Sequence, residues 1–239
     1  MKWMEQTLKI TNVLSDPTRF NIYQFVTKRH GEVTVQEIAD SFNIHPNVAR
    51  LHLSKLEDVN MLISETKKTG KGGRPSRLYK LSDDVIELHF PARDYKLLAS
   101  IAIQTMMSLG NVGEKALFET GKKFGEELVK TQLPHQTTSP LELTFEQKLN
   151  VLKEASTMAG FYPEFNHNID KTKIFFQIYN CPFKEIAARH NDIVCSTHFA
   201  FLKGMFTVLF TDVDLVEQEN MMTGCNSCSY HAFIPLTSQ

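Results

Sequence analysis

Between Thr34 and Leu81 the hydrophobic period changes from helical to extended within a few residues, and few folds accommodate such an order. Thr34 with Glu37 three positions later makes a capping box, which opens a short helix over Val35–Phe42. Asn43-Ile44-His45 is a tight connection, and Pro46 then starts a second helix that runs to about Asn60. Leu62-Ile63-Ser64 and Arg77 to Leu81 read as two short strands around a loop rich in Gly and Lys. Upstream, one helix reaches Val13, and Asp16 or Ser15 caps the next, with Pro17 in its first turn. Phe20, Ile22, Tyr23, Phe25 and Val26 give that helix a wide apolar stripe.

Two helices joined by a short turn and followed by a basic hairpin form a winged helix-turn-helix arrangement. In the second of those helices Ala49, Leu53 and Leu56 are expected to face the core, helped by Val48 and Val59. Asn47, Arg50 and Ser54 then share the opposite face, at i, i+3 and i+7. Arg pairs bidentately with guanine and Asn with adenine, so this face is suited to base edges in double-stranded DNA. His45 and Lys55 flank it and suit phosphate contacts. The wing carries Lys67, Lys68, Lys71, Arg74 and Arg77 without one acidic residue, and Arg74 or Arg77 is placed to enter a minor groove. Charge follows the same division. Residues 1–80 hold about 13 Lys and Arg against about 8 Asp and Glu, whereas acids prevail in the remainder.

The fold class expected is α+β, in three parts. Residues 1–90 form the winged helix-turn-helix domain, 91–160 a helical linker and dimerisation region, and 161–239 an α+β sensor domain with the cysteines. The dimerisation helix is Asp94–Leu109, where Leu97, Leu98, Ile101, Thr105, Met106 and Leu109 form one stripe. A winged-helix module buries little DNA surface alone, so a homodimer on a palindromic operator is expected. Helices at Glu114–Thr131 and Phe145–Ala159 follow, then a hairpin of Phe161–Asn168 and Thr172–Tyr179. Helices near Pro182–His190 and Val194–Leu209 and strands near Val213–Glu217 and Ser229–Pro235 complete the chain. The N-terminus has no leader pattern and no apolar run nears the length of a membrane helix, so a cytoplasmic protein without a membrane partner is expected.

Cys181, Cys195, Cys225 and Cys228 all fall in the last quarter. Cysteines of a reducing compartment point to metal or redox chemistry rather than disulfides. Cys225 and Cys228 are spaced so that both thiolates can meet one metal. Cys181 and Cys195 fall at predicted helix starts, where low thiol pKa values are expected. From spacing alone zinc and an iron–sulfur cluster fit equally, and buried metal-free thiols stay open. No nucleophile–base spacing, phosphate loop or dinucleotide fingerprint accompanies His167, His190, His198 or His231, so no enzyme is expected. A small-molecule pocket walled by Phe161, Tyr162, Phe175, Phe176 and Phe199 is a further alternative.

Leu14-Ser15-Asp16-Pro17-Thr18-Arg19 and the stretch from His45 to Glu57 resemble the opening and recognition helices of ArsR-type winged-helix regulators. Gly73-Arg74-Pro75-Ser76-Arg77-Leu78-Tyr79-Lys80-Leu81 resembles the wing of one subgroup, the SufR-type repressors of iron–sulfur biogenesis. Asn180-Cys181-Pro182-Phe183, Val194-Cys195-Ser196-Thr197-His198 and Gly204 are similar to that subgroup's sensor motif. The resemblance implies a repressor with a [4Fe–4S] cluster on Cys181, Cys195 and Cys228, with Cys225 or else His198 as the fourth ligand.

Overall fold

A computed structural model of the chain describes residues 2–67, 76–91, 93–134 and 139–235. It comprises two compact units, Met1–Arg93 and Asp94–Gln239, each with its own core. The helices of the expected linking region therefore belong to the second unit.

In the first unit α1 (Lys2–Leu14) and α2 (Pro17–Arg29) are separated because Asp16 leaves helical backbone to cap α2. Its Oδ1 accepts the Arg19 N–H at 2.9 Å, and Arg19 Nη1 reaches back to the Val13 carbonyl at 2.9 Å. That pair fixes the corner between the helices. β1 (Val33–Thr34) leads into α3 (Val35–Phe42), whose capping box between Thr34 and Glu37 forms as expected. Asn43, at φ 50, ends α3 in the left-handed region, and α4 (Pro46–Glu57) follows at once. β2 (Leu62–Lys67) and β3 (Ser76–Leu81) pair antiparallel from Leu62–Leu81 to Lys67–Ser76. β1 pairs with the other side of β3, giving the order β1-β3-β2. Two residues are too few for a periodicity, so β1 has no local signature.

Ile22, Ile38, Ala49, Leu53, Leu56, Leu62 and Tyr79 are completely buried and form the centre of this core. Val48, expected to assist, is 41% exposed, and His52 is buried in its stead. The helical period explains the exchange. Positions 49, 52, 53 and 56 follow i, i+3, i+4 and i+7, whereas 48 lies off that stripe. α4 also stops three residues short of the expected Asn60, which turns the chain into β2 at φ 59.

The second unit runs α5 (Tyr95–Ser108), α6 (Asn111–Thr131), a 3-10 turn (Pro140–Glu142), α7 (Phe145–Met158), β4 (Pro163–His167) and β5 (Lys173–Ile178). It continues through α8 (Lys184–Ala187), α9 (Asn191–Leu209), β6 (Asp214–Glu219), a 3-10 turn (Met221–Thr223) and β7 (Cys228–Phe233). The strands form one antiparallel sheet in the order β4-β5-β7-β6. Ile174, Phe176 and Ile178 of β5 alternate with partly exposed residues, and Cys228, Tyr230 and Ala232 pair beside them. This face packs with Leu202, Met205, Phe206 and Leu209 of α9 and with Val151, Leu152 and Ala155 of α7. The expectation that no stretch has membrane length needs correction. By length and composition α9 is long and apolar enough to cross a membrane, and half of that stretch is buried within the protein.

α6 and α9 approach so closely that side chains are excluded at the crossing. A methyl group on Gly125 would collide with the Phe201 carbonyl, one on Gly204 with the Lys122 carbonyl, and one on Gly121 with the Thr197 carbonyl. Replacing Gly125 by Ala forces two backbones apart, an overpacking that costs about 1–3 kcal/mol or more. Urea unfolding of Gly125→Ala is therefore expected to show that loss, whereas Lys123→Ala, on the exposed side of α6, stays within about 0.5 kcal/mol of the unsubstituted chain.

Candidate nucleic-acid interface and thiol cluster

His45, Asn47 and Arg50 are exposed at the start of α4, and Ser54 is half-buried further along the same face. His45 caps the helix, its Nδ1 accepting the Asn47 N–H at 3.2 Å. Arg50 Nη1 donates to Asn47 Oδ1 at 3.1 Å, so the two groups able to read base edges lie side by side. Arg50 also lines a groove of about 640 Å³ together with Thr34, Gln36, Pro46, Thr66 and Arg77. The recognition helix and the base of the wing thus open onto one concave surface. Lys68, Lys71 and Arg74 lie outside the described residues.

The other cations of this surface have acidic partners that a count of charges does not reveal. Arg77 makes a two-pronged contact with Glu57 at 2.8 and 2.7 Å, donates to Ser64 Oγ at 2.7 Å and lies 5.3 Å from the Tyr79 ring centre. Lys67 meets Glu32 at 2.8 Å, and Lys55 lies 3.7 Å from Asp58. Exposed pairs of this kind are worth about 0–1 kcal/mol, little enough for a phosphate to displace. Arg77, the best held of them, stiffens the wing against α4. Thr34 and Gln36 line the groove without having been singled out, because their place next to Arg50 depends on β1 pairing with β3.

In the second unit Cys181 lies just before α8, Cys195 in the second turn of α9 and Cys228 at the start of β7. Cys181 and Cys228 are buried and Cys195 is half-buried. The three thiols fall within electrostatic reach of one another, and the buried Tyr230 interacts with all three. Cys225 is not among those neighbours. It is half-buried on the turn after Gly224, with Thr223 Oγ1 at 3.8 Å.

Burial pushes the Cys181 thiol up to about 12, with mutual repulsion from Cys228 and Cys195 adding to it. The Cys195 and Cys228 thiols are raised as well, by burial first and then by the Glu217 carboxylate despite nearby hydrogen-bond donors. The low thiol pKa values expected from helix starts are thus corrected. Cys195 is the fifth residue of α9 rather than its cap, and desolvation exceeds what a helix terminus returns.

His198 is buried beside Cys181, its Nδ1 at 3.9 Å from the sulfur, between the rings of Phe161 and Phe183. Its Nε2 is buried without a hydrogen-bond partner among the described residues. Three thiols and the His198 imidazole, whose Nδ1 lies beside Cys181, are a donor set that fits a thiolate-bound metal or cluster in its chemistry. Among the described residues no three His, Cys, Asp or Glu groups stand close enough to hold a metal ion as they are. The aromatic residues expected to wall one pocket are dispersed. Phe161 lines an apolar hollow of about 410 Å³ with Phe124, Pro182, Phe183 and Phe201, whereas Phe176 is in the core and Phe175 borders a separate hollow on the sheet.

Residues 14–65, from the end of α1 into β2, match the family model of a helix-turn-helix domain. The chain thus carries the fold of DNA-binding transcription regulators in its first unit. No curated protein matches it. Among solved structures, it has a likeness to a trafficking protein particle complex subunit 3 from Naegleria fowleri covalently bound to palmitic acid. The TM-score is 0.41 at 14% identity, over 59% of this chain and 96% of that one. A second is the phenol-responsive sensory domain of the transcription activator PoxR with phenol, with a TM-score of 0.44 at 16% identity over 77% and 89% of the two chains. At these scores neither likeness bears on function.

Burial lowers His198 from 6.5 to about 4. Between those values the unfolded chain carries a proton on this ring that the folded chain refuses. Stability from this group is complete above pH 6.5 and declines as pH falls towards 4, by on the order of 3 kcal/mol. In the metal-free protein, His198→Leu is expected to flatten that part of the stability profile, measured by urea unfolding at stepped pH.

Proposed function

We propose that this protein is a transcription regulator, a repressor of the SufR type. It binds a palindromic operator as a homodimer, and a [4Fe–4S] cluster in the second unit modulates that binding. The observation that carries the DNA-binding part is the shared groove of Arg50 and Arg77, beside the exposed Asn47. Asn47, Arg50 and Ser54 share the face that reads base edges, while His45, Lys55 and Lys67 contact backbone phosphates and Arg77 meets the phosphates or the minor groove between them. The same assignment extends to Lys68, Lys71 and Arg74 by their sequence alone.

α5 supports the homodimer. It has no buried residue, and Leu97, Leu98 and Ile101 are each more than half exposed. Such a stripe is costly to leave in water and suits a second copy of itself.

Cys181, Cys195 and Cys228 would hold the cluster, with Cys225 or His198 as the fourth donor. When bound, the cluster supplies a cross-link sensitive to oxidants or to iron supply. Cys195 belongs to a small apolar group with Ile103 of α5, Leu117 of α6, Ile186 of α8 and Phe183 just before it. A shift of α8 or α9 is thereby felt at the helix assigned to dimerisation, which gives the coupling a physical path. The approach of His198 to Cys181 favours a second reading, a zinc ion on three thiolates and one imidazole. Anaerobic purification with metal analysis separates the two.

Operator DNA selected from a random library provides the test. Arg50→Ala is expected to weaken binding about 10–100-fold at fixed salt and to relax sequence preference, as loss of a bidentate base contact does. Unchanged affinity in fluorescence anisotropy would remove the interface assigned here. Cys181→Ser is expected to abolish metal uptake and to change operator affinity at least about fivefold, the lower end of allosteric coupling. If affinity and its response to oxidant both stay as in the unsubstituted chain, the coupling is wrong.

A further inference from the structure

Each of the three thiols has a polar neighbour that favours its thiolate. For Cys181 it is the backbone N–H of Phe183. Cys228 takes the backbone N–H of Met221, at 3.3 Å, and lies beside the Tyr230 hydroxyl, which donates to Glu217. For Cys195 it is the side chain of Asn220. Backbone donors persist whatever residue supplies them, so Cys195 depends on the identity of residue 220 in a way that Cys181 does not depend on residue 183.

Asn220 follows β6, just beyond the irregularity between Glu217 and Glu219. Its Oδ1 accepts the Met222 N–H at 2.8 Å and thereby caps the 3-10 turn that delivers the Met221 N–H to Cys228. Its own carbonyl accepts the Thr223 hydroxyl at 2.7 Å. With the carboxamide oxygen committed, the amide nitrogen is turned towards Glu217, whose two carboxylate oxygens it meets at 3.2 Å each. The same side chain lies beside Cys195, and Oδ1 accepts the Cys228 S–H at 4.0 Å. One carboxamide therefore touches two of the thiols, the nearest carboxylate and the turn between them.

We infer that Asn220 is a positioning residue of the thiol site, holding Cys195 and Cys228 for a shared metal or cluster and tethering the Glu217 carboxylate beside them. This rests on the reading that those thiols bind a metal. An N–H donor to sulfur stabilises the thiolate that a metal requires, and outer partners of this kind orient the inner ligands. The Glu217 carboxylate is a like charge next to those thiolates. Bound to the amide nitrogen, it is partly compensated and kept to one position.

Asn220→Asp and Asn220→Ser separate positioning from capping. Both residues are strong caps, so each preserves the acceptor for Met222. Asp replaces the amide donor with an anionic oxygen beside Glu217 and two thiols, and Ser replaces the amide with a shorter hydroxyl that cannot span Glu217 and the thiols together, without adding charge. The full chain, made metal-free under anaerobic reduction, is titrated with cobalt(II) as a probe for tetrahedral thiolate ligation. Both variants are expected to bind cobalt about 10–100-fold more weakly, Asp more so than Ser, with weaker thiolate-to-cobalt absorption. Melting of the metal-free chain is expected to stay within about 2 °C for the Ser variant. Cobalt affinity and absorption unchanged in both variants would mean that Asn220 only caps the turn, and the inference falls while the metal reading stands. If the unsubstituted chain takes up neither cobalt nor an iron–sulfur cluster, the metal reading itself fails and takes this role with it.

Discussion

The close passage of α6 over α9 is the constraint on which the second unit depends. Gly121 and Gly125 on one helix and Gly204 on the other let two backbones approach where side chains would hold them apart. That approach fixes the height and rotation of α9, and α9 carries Cys195, His198 and the residues that cover the sheet. Gly121 faces the carbonyl of Thr197, next to His198, so the helix crossing and the thiol site are parts of one packing arrangement. Interiors packed this densely transmit a displacement rather than absorb it.

The first unit is organised differently. Its core is made by short helices whose ends are set by side-chain caps, at Asp16, Thr34 and His45. Each cap leaves the following helix a defined direction, and the α3–α4 corner brings Arg50 to the foot of the wing. Ion pairs then settle the wing hairpin, through Arg77 with Glu57 and Lys80 with Glu65 at 2.8 Å. These contacts contribute little to stability because both partners are exposed. Their effect is to orient β2 and β3.

Burial gives the thiol cluster its character. Cys181 and His198 lie side by side, and both are held neutral by loss of hydration, the one as a thiol and the other as an unprotonated imidazole. Neutral, partly satisfied groups of this sort are costly in a core that serves packing alone. A bound cation would offset the repulsion among thiolates and give the imidazole nitrogen a partner.

The sequence by itself determined the elements and most of their ends. Helical and extended periods differ, and Pro17, Thr34, Asn43 and Pro46 impose backbone angles wherever they stand. It also determined which cations and thiols were available, but not what they would meet. That Lys67 would find Glu32, that His52 rather than Val48 would enter the core, and that Cys195 would lie a turn inside α9 were decided by tertiary structure. Asn220 had no signal in the sequence at all, since its partners lie on α9, β6 and β7, and only the folded sheet brings them within reach. Local backbone preferences are written residue by residue, whereas electrostatic and hydrogen-bond partners separated along the chain are chosen by the packing that joins them.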